Sequence, residues 1–507
     1  MQGKVPLLRS LSSRVVFDDV LDAIGVSSIQ LLAVLTCGIG NAADATEILS
    51  IGYIITELDF DAGEKGTLSS SVFAGMLVGA IVLGYMSDKI GRRICLATAM
   101  GINCVCGVLF AACSIWAAPN QLFIWMATFR FGAGFGVGGA VPIVFSLAAE
   151  LIPARRRGLY LVAGVAAFWM VGSVFIAAAA WILLGINRYH WTALAYVAAV
   201  PSGLCLILTC AIVPESPRFL LLHGRHSEAV SVLRRFASSA GRKHLVPDDL
   251  VLHFDDRGTK SESWMQDLKD MMLTLLRPPL RRIFVLQLVV FFTLNFGWYG
   301  LLLWFPTLFK DRGIEEENVF KMAFYVSAAN LPGNILSALL ADVVGRRRLL
   351  ACSMFGAAVC SLGFVFADAQ WSATLTACLF NGISLGAWNA LDVMSSEMFP
   401  TVVRAVAWGL LSATGRLGAL VAQYVIASLQ GQSPALPLVT SCALMAVGSL
   451  AGFFLPEMTA VALQDTLPLD QETSCDPSAT GSSFPVARDR AEPGLMSCQE
   501  LSPAPRE

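Results

Sequence analysis

The stretch "GYMSDKIGRR" at 84–93 and its near repeat "ALLADVVGRR" at 338–347 decide the fold, because each follows a long apolar run. Their first residues lie 254 positions apart. A second pair, "ELIPARRRG" at 150–158 and "EMFPTVVRAVAWG" at 397–409, repeats Glu-x-x-Pro followed by Arg at the similar offset of 247. Two matched pairs at nearly one offset indicate an internal duplication, which is a common construction of transporter folds.

The composition places the chain in a lipid bilayer. Its 507 residues are 56% hydrophobic and 14% charged, whereas soluble domains carry about 25% charged residues. A net charge of −2 gives no basis for nucleic-acid binding. We therefore expect an integral membrane protein whose surroundings are the lipid bilayer.

The apolar runs are long enough to cross about 30 Å of hydrocarbon. They predict an all-α membrane protein with twelve transmembrane helices in two six-helix pseudo-repeats. The predicted spans are 29–56, 67–87, 94–117, 121–151, 158–184, 191–213, 283–309, 319–343, 349–368, 371–398, 404–428 and 435–456.

Changes of composition along the chain predict five regions. Two six-helix halves are expected, and a polar linker joins them. An amphipathic helix is predicted in the linker around "SWMQDLKDMMLTLL", and the tail, rich in Ser and Pro, is expected to be disordered. The regions are an N-terminal segment 1–28, a first half 29–213, a linker 214–282 with amphipathic helices, a second half 283–456 and a tail 457–507.

Basic residues predict the orientation in the membrane. The linker alone carries twelve Lys and Arg, whereas the loops on the opposite side share five. The positive-inside rule therefore predicts that both termini and the linker are cytoplasmic. The first apolar run is too long for a cleaved signal peptide, and we expect a monomer in the plasma membrane or an internal vesicle membrane.

The repeated phrases predict a cytoplasmic gate. Acidic side chains can face a helix N-terminus or an arginine, and the glycines permit a tight turn. The arginines can pair with the two Glu of the second motif, and such pairs can break when the inner side opens; topology-setting charge is the alternative. The predicted gate residues are Asp88, Arg92, Arg93, Glu150, Asp342, Arg346, Arg347, Glu397 and Arg404.

A few charged residues fall inside predicted spans, where each costs roughly 2.5–3.5 kcal/mol on insertion scales. Asp44 and Glu47 share one helix face in span 1, and either could accept a proton in apolar surroundings. Arg130 begins the glycine-rich "RFGAGFGVGG" of span 4, while Asp392 and Arg416 lie in spans 10 and 11. Both halves hold opposite charges, so pairing across a central cavity is predicted, although each pair could equally hold helices together.

No chemistry of cofactors or metals is predicted. The thirteen cysteines form no CxxC, and all five histidines lie outside the spans. A metal site, a disulfide framework and a histidine relay are therefore not expected, nor is an enzyme, because no nucleophile–His pair has a suitable context.

The motifs "GYMSDKIGRR", "RFGAGFGVGG" and "PESPRFLL" (214–221) resemble signatures of the major facilitator superfamily through about residue 460. Longer strings such as "NAADATEILSIG" (41–52) and "GAWNALDVMSSEMFP" (386–400) resemble the synaptic vesicle glycoprotein 2 group, its related-protein branch and bacterial niacin transporters. The large lumenal domain of that group is absent between spans 7 and 8. The resemblance places these residues around a central substrate site: Asp44, Arg130, Trp169, Trp298, Tyr299, Trp388, Asp392 and Arg416.

The sequence thus predicts a transporter of a small organic solute that works by alternating access. Mixed charges with aromatic rings favour a charged or zwitterionic ring compound such as a nicotinate-like carboxylate, with protons as the candidate coupling ion. A hexose transporter is the first alternative, since "PESPR" also marks sugar porters. Against it, sugar sites need a row of Gln and Asn amides, and span 7 offers mainly Gln287 and Asn295. A non-transporting membrane regulator with the same fold is the second.

Overall fold

The structure is a computed structural model that describes residues 15–247, 252–253, 264–278 and 280–457. The predicted disordered tail after residue 457 lies outside the described residues. The helices up to the linker are α1 (Phe17–Ile24), α2 (Ser28–Ile54), α3 (Ala62–Ile90), α4 (Arg92–Trp116), α5 (Pro119–Leu151), α6 (Arg157–Leu161), α7 (Phe168–Ala180) and α8 (Trp191–Ala211). The later helices are α9 (Pro217–Leu222), α10 (His226–Ser239), α11 (Trp264–Leu275), α12 (Leu280–Asp311), α13 (Glu316–Ala328), α14 (Asn330–Val344), α15 (Arg346–Val365), α16 (Gln370–Glu397), α17 (Thr401–Gln430) and α18 (Ala435–Phe453).

The prediction of twelve spans in two sets of six is confirmed. Two of the spans are interrupted rods: α6 and α7 join through a π-helical turn at Val162–Ala166 and continue into another at Trp181–Ile186, and α13 runs almost directly into α14. Eleven spans among the described residues have the length and apolar composition to cross a membrane. The twelfth span, α16, is comparable in length to the other spans but less apolar, because it carries Asn381, Asn389 and Asp392.

The only strands in the described part of the chain are two residues long. Val15–Val16 pairs in parallel with Leu252–His253, while short 3-10 turns occur at Ala154–Arg156 and Lys243–Leu245. The predicted all-α class is therefore correct for every membrane-crossing element.

The first part of the linker, α9 and α10, folds against the first half together with the N-terminal helix, whereas α11 packs against α12 and α17 of the second half. α1 buries Phe17 and Leu21, and its Asp18 forms an ion pair with Arg218 of α9 at 3.0 Å. Arg242 donates to the last carbonyls of α1, Ala23 O at 2.9 Å and Ile24 O at 3.0 Å. Because these carbonyls have no partner inside the helix, the guanidinium caps it.

Close approach of backbones positions the two halves on the side opposite the linker, which we call the outer side. A Cβ added to Gly52 of α2 would lie 2.6 Å from the carbonyl oxygen of Leu303 in α12, a distance that real side chains do not reach. Lys310, at the end of α12, donates to Thr56 O at 2.8 Å and lies 3.9 Å from Glu57. Packing and charge therefore join the two halves on the outer side.

Candidate functional site

Aromatic side chains from both halves meet at the centre of the bundle. Trp298 of α12 is the hub: its ring centroid lies 5.3 Å from Trp169, 5.4 Å from Trp388 and 4.7 Å from Tyr299. Phe73 of α3 closes the cluster against Tyr299 at 5.2 Å, edge to face. Such tilted pairs at 4.5–7 Å are favourable contacts between rings. Together they form an apolar wall with one indole from the first half and two from the second.

Hydrogen bonds fix the hub. Trp298 Nε1 donates to Asn381 Oδ1 at 3.0 Å, and Asn381 Nδ2 donates to Val326 O at 2.7 Å. The indole of Trp298 therefore has a fixed orientation, which suits a preorganised site. Trp388 differs, since its buried Nε1 has no partner in the described residues and remains a free hydrogen-bond donor. Sequence reasoning missed Asn381, although an Asn within a membrane span is a signal in itself.

Three charged side chains border this cluster, and Arg416 attracts Asp44 electrostatically without forming an ion pair with it. The phenol of Tyr299 lies within electrostatic reach of Asp44, Asp392 and Arg416, and Asp44 lies beside the Trp169 indole. Among the described residues, neither acid forms an ion pair with Arg416, whose Nη1 contacts Met76 Sδ at 3.4 Å. In the described residues Asp392 and Arg416 thus form no ion pair with each other, and one buried carboxylate oxygen of Asp44 has no partner.

The other two charged residues predicted inside the spans, Glu47 and Arg130, neutralise each other. Arg130 Nη1 donates to Glu47 Oε1 at 2.5 Å, and Nη2 donates to the backbone carbonyl of Glu47 at 2.9 Å. Arg130 is 1% exposed and Glu47 2%. This pair lies within the first half, so the structure assigns the Arg130 guanidinium to Glu47 and not to the aromatic cluster.

A π-helical turn positions Trp169. Such turns occur frequently at functional sites, and this one ends at Ala166, three residues before the indole. Its carbonyl at Val165 accepts a hydrogen bond from Asn41 Nδ2 of α2 at 3.0 Å. The widened turn therefore connects Trp169 with the helix that carries Asp44.

The repeated phrases form matching ion pairs on the linker side. Arg92 pairs with Asp88 at 2.9 Å and with Glu150 at 3.4 Å, and Arg346 pairs with Glu397 at 3.4 Å. These pairings were predicted. Each ion pair joins two residues of the same half. In the described residues these pairs therefore do not connect the two halves on this side.

The expectation for the other predicted gate residues was wrong in part. Arg93 donates to the carbonyls of Thr209 and Cys210 at the end of α8, not to Glu150. Arg404 Nε donates to Phe399 O at 3.1 Å, a carbonyl of the short turn between α16 and α17. The Asp342 side chain lies outside the described residues.

Two acidic residues that the sequence reasoning missed complete the motif. Glu215 Oε1 accepts hydrogen bonds from the backbone N–H of Arg92 at 2.9 Å and of Arg93 at 3.2 Å, at the N-terminus of α4. Glu457 takes the matching place in the second half, where it lies 3.9 Å from Arg347. The expected partner of Arg347 was Glu397, so this part of the gate prediction was wrong. The signal was a third repeat, a Pro-Glu dipeptide at 214–215 and again at 456–457.

Glycine is required at the turns between these helices. Gly91 has φ +122° and Gly345 has φ +90°, a region that residues with a Cβ rarely adopt. The acidic groups of Glu215 and Glu457 lie directly above these glycines. The predicted tight turns are confirmed.

Comparison with known proteins agrees with this geometry. The family model described as "Sugar (and other) transporter" matches residues 50–466. Synaptic vesicle glycoprotein 2A of Rattus norvegicus is 26% identical, with 88% of this chain and 80% of the relative covered. Synaptic vesicle glycoprotein 2B of Homo sapiens is 25% identical, with 87% and 85% covered.

The fold has solved counterparts. The partially occluded inward open conformation of the xylose transporter XylE from E. coli superimposes with a TM-score of 0.65 at 19% identity, covering 88% of this chain and 100% of that one. A structure titled "Crystal structure of D-xylose-proton symporter" gives a TM-score of 0.64 at 20% identity. The chain therefore belongs to the sugar (and other) transporter family, within the major facilitator fold, and is a membrane transporter that works by alternating access.

Proposed function

We propose that the chain carries a small organic ion with a ring, bound at the central aromatic cluster. The observation that carries this proposal is the set of three charges, Asp44, Asp392 and Arg416, that no ion pair cancels among the described residues. Asp44 is buried, whereas Arg416 is half-buried and Asp392 is exposed. A charge without a partner inside a membrane span is costly, so a ligand that supplies the missing charge gains affinity there. The unpartnered Nε1 of Trp388 adds a donor for a polar ring atom.

The charge count favours proton coupling. Since Glu47 and Arg130 neutralise each other, the cluster keeps two acids against one base. A carboxylate ligand can pair bidentately with Arg416, yet it would meet two carboxylates of its own sign unless one of them takes up a proton. A nicotinate-like anion would thus enter together with a proton, and Asp44, with an unpartnered oxygen, is the proposed proton acceptor.

A hexose is the second candidate. The family description and the likeness to a xylose transporter favour it, and Asn334 and Asn389 form a polar cluster with Ser337 between α14 and α16. The amides expected for a sugar on span 7 do not support it, because Gln287 donates to Met398 Sδ and Asn295 donates to Phe291 O. The amide nitrogens of both residues are thus occupied within the second half, and the buried Oε1 of Gln287 has no partner in the described residues.

The remaining predictions stay proposals. We propose that both termini and the linker are cytoplasmic, that the division into halves at 214–282 is functional, and that the protein acts as a monomer. The ion pairs on the linker side would then form the cytoplasmic gate. A gate of this kind must change partners when the halves rock against each other.

Uptake into proteoliposomes tests the substrate. Labelled nicotinate, other organic ions and hexoses are supplied with and without an inward proton gradient. We expect gradient-stimulated uptake of an organic anion that Arg416→Ala and Asp44→Asn abolish. Trp388→Phe, which removes the free N–H, should raise KM, while Trp371→Phe is the matched control because Trp371 is 71% exposed on the outer part of α16.

Other outcomes contradict the proposal in distinguishable ways. Uptake of hexose alone, insensitive to Arg416→Ala, would establish the second candidate. An absence of uptake for every compound, with ligand-dependent thermal stabilisation retained, would indicate the membrane regulator.

A further inference from the structure

A cavity on the outer side lies apart from the central site. It is open to the outside and has a volume of about 220 Å³ between the start of α3, the end of α12 and the end of α17. A bound water needs about 10–15 Å³ of comparable volume, so the cavity accommodates a ligand of roughly a dozen non-hydrogen atoms. Its lining residues are Phe60, Ala62, Lys65, Trp304, Thr307, Asp311, Ala427, Gln430 and Gly431.

Two buried polar atoms in the lining have no partner. Thr307 is 7% exposed, yet its Oγ1 makes no hydrogen bond with the described residues, and neither does the buried Oε1 of Gln430. Gln430 Nε2 donates to Asp311 at 2.6 Å, which directs Oε1 away from that carboxylate. Buried polar atoms are normally paired, so an acceptor and a hydroxyl left unpaired at one cavity indicate a bound polar ligand.

The charges of the lining are of both signs. Lys65 contributes an ammonium group that forms no ion pair within 4.0 Å among the described residues, and Asp311 contributes a carboxylate. The accessible aromatic wall is Phe60, which is half-buried and packs edge to face on Phe123 at 5.9 Å. Trp304 lies behind it, 1% exposed and held by its Nε1 bond to Gln423 at 2.9 Å. A lone cation or a lone anion would leave one lining charge unmatched.

We propose that this cavity binds a small zwitterion with an aromatic ring, of the amino-acid class. Its carboxylate pairs with Lys65 and accepts from the Thr307 hydroxyl. Its ammonium group donates to Asp311 and to Gln430 Oε1, and its ring packs on Phe60. This site is distinct from the central one and does not depend on which solute is transported.

The site is an effector site because it is built from both halves. Phe60 and Lys65 belong to the first half, whereas Thr307, Asp311 and Gln430 belong to the second. The halves touch closely beside it, since a Cβ added to Gly66 would lie 2.9 Å from Ala427 Cβ. Opening of the outer side separates these groups, so the zwitterion binds the outer-closed state and shifts the population toward it. Transport would be inhibited without competition at the central site.

Equilibrium binding of labelled L-phenylalanine to the full chain in lipid nanodiscs tests the proposal. We expect saturable binding of one molecule per chain, with phenylpropionate and phenethylamine, which carry one charge each, at least about tenfold weaker. Lys65→Met and Thr307→Val should each weaken binding at least about tenfold. Thr307→Val keeps the shape of the side chain and removes only an unpaired hydroxyl, so it should fold.

Two controls locate the site. Lys89→Met changes a lysine at the opposite end of α3 and should leave binding unchanged, as should Trp388→Phe in the central cluster. The proposal is overturned if folded wild-type protein shows no saturable binding up to about 10 mM, or if both outer variants bind as well as wild type. Loss of binding in Trp388→Phe alone would place the amino acid in the central site and would overturn it equally.

Discussion

The buried pair of Glu47 and Arg130 allows a quantitative prediction. Both side chains are almost completely inaccessible, so water cannot screen either charge. Arg130 has three partners: Glu47 Oε1, the Glu47 carbonyl and, at 3.4 Å, Ser50 Oγ. In Glu47→Gln the guanidinium keeps only neutral partners, and because it cannot lose its proton, an uncompensated charge stays buried. Removal of one partner of such a pair costs about 3–5 kcal/mol.

The reverse substitution should cost less. In Arg130→Met the Glu47 carboxyl can become neutral by taking up a proton, which the guanidinium cannot do. In the double variant Glu47→Met with Arg130→Met no charge remains, and apolar replacement of a buried pair is often neutral. We therefore expect Glu47→Gln to be the least stable, Arg130→Met intermediate and the double variant closest to wild type.

Thermal unfolding of the purified protein measures this order. Smaller domains lose about 2–4 °C in Tm per kcal/mol, so Glu47→Gln should lower Tm by at least about 5 °C. Ser50→Ala is the matched control, since it removes only the long third contact of the guanidinium and should shift Tm little. Shifts that simply add in the double variant, or a Glu47→Gln shift below about 1 °C, would refute the reasoning, because they would mean that the two charges are not coupled.

Three further predictions concern the outer side. Burial raises the pKa of Glu57 above its usual range although Lys310 opposes the shift; folding therefore favours the protonated form, and stability is lost as pH rises from the ordinary pKa through the raised one. Glu57→Gln should remove this part of the pH dependence of Tm and match wild type below about pH 4, and an unchanged profile would contradict it. Gly52→Ala should push α2 away from Leu303 and destabilise the outer-closed state by about 1–3 kcal/mol. A cysteine introduced on the outer side should then be labelled faster, and unchanged labelling would show that the helices can move apart without this cost. Arg312 donates to the carbonyls of Phe364, Val365 and Ala367. Arg312→Met should therefore lower the free energy of unfolding by about 1–3 kcal/mol, measured as a lower Tm. Arg312→Lys should lower Tm less, and equal losses in the two variants would contradict the capping role.

Several features of the protein could be predicted from the sequence because they depend on one-dimensional quantities. Span number follows from the length of apolar runs, and the duplication follows from repeated motifs. Gly91 and Gly345 mark turns because backbone conformation at a glycine is a local property. Trp169, Trp298, Tyr299 and Trp388 were assigned to one site by resemblance to a family, and the structure brings all four rings together.

Only the tertiary structure decided which charges are paired. The sequence offered three acids and two bases inside the predicted spans without any means of matching them, because partners such as Glu47 and Arg130 are 83 residues apart in the chain. Whether a charge is cancelled depends on a few ångströms between helices, since Coulomb energy falls with distance and rises in a dry interior. The same reason explains why Glu215 and Glu457 were missed above the glycine turns. It also explains why Arg416 is free of an ion pair in the described residues, and why the outer cavity, built from both halves, exists only once the helices have packed.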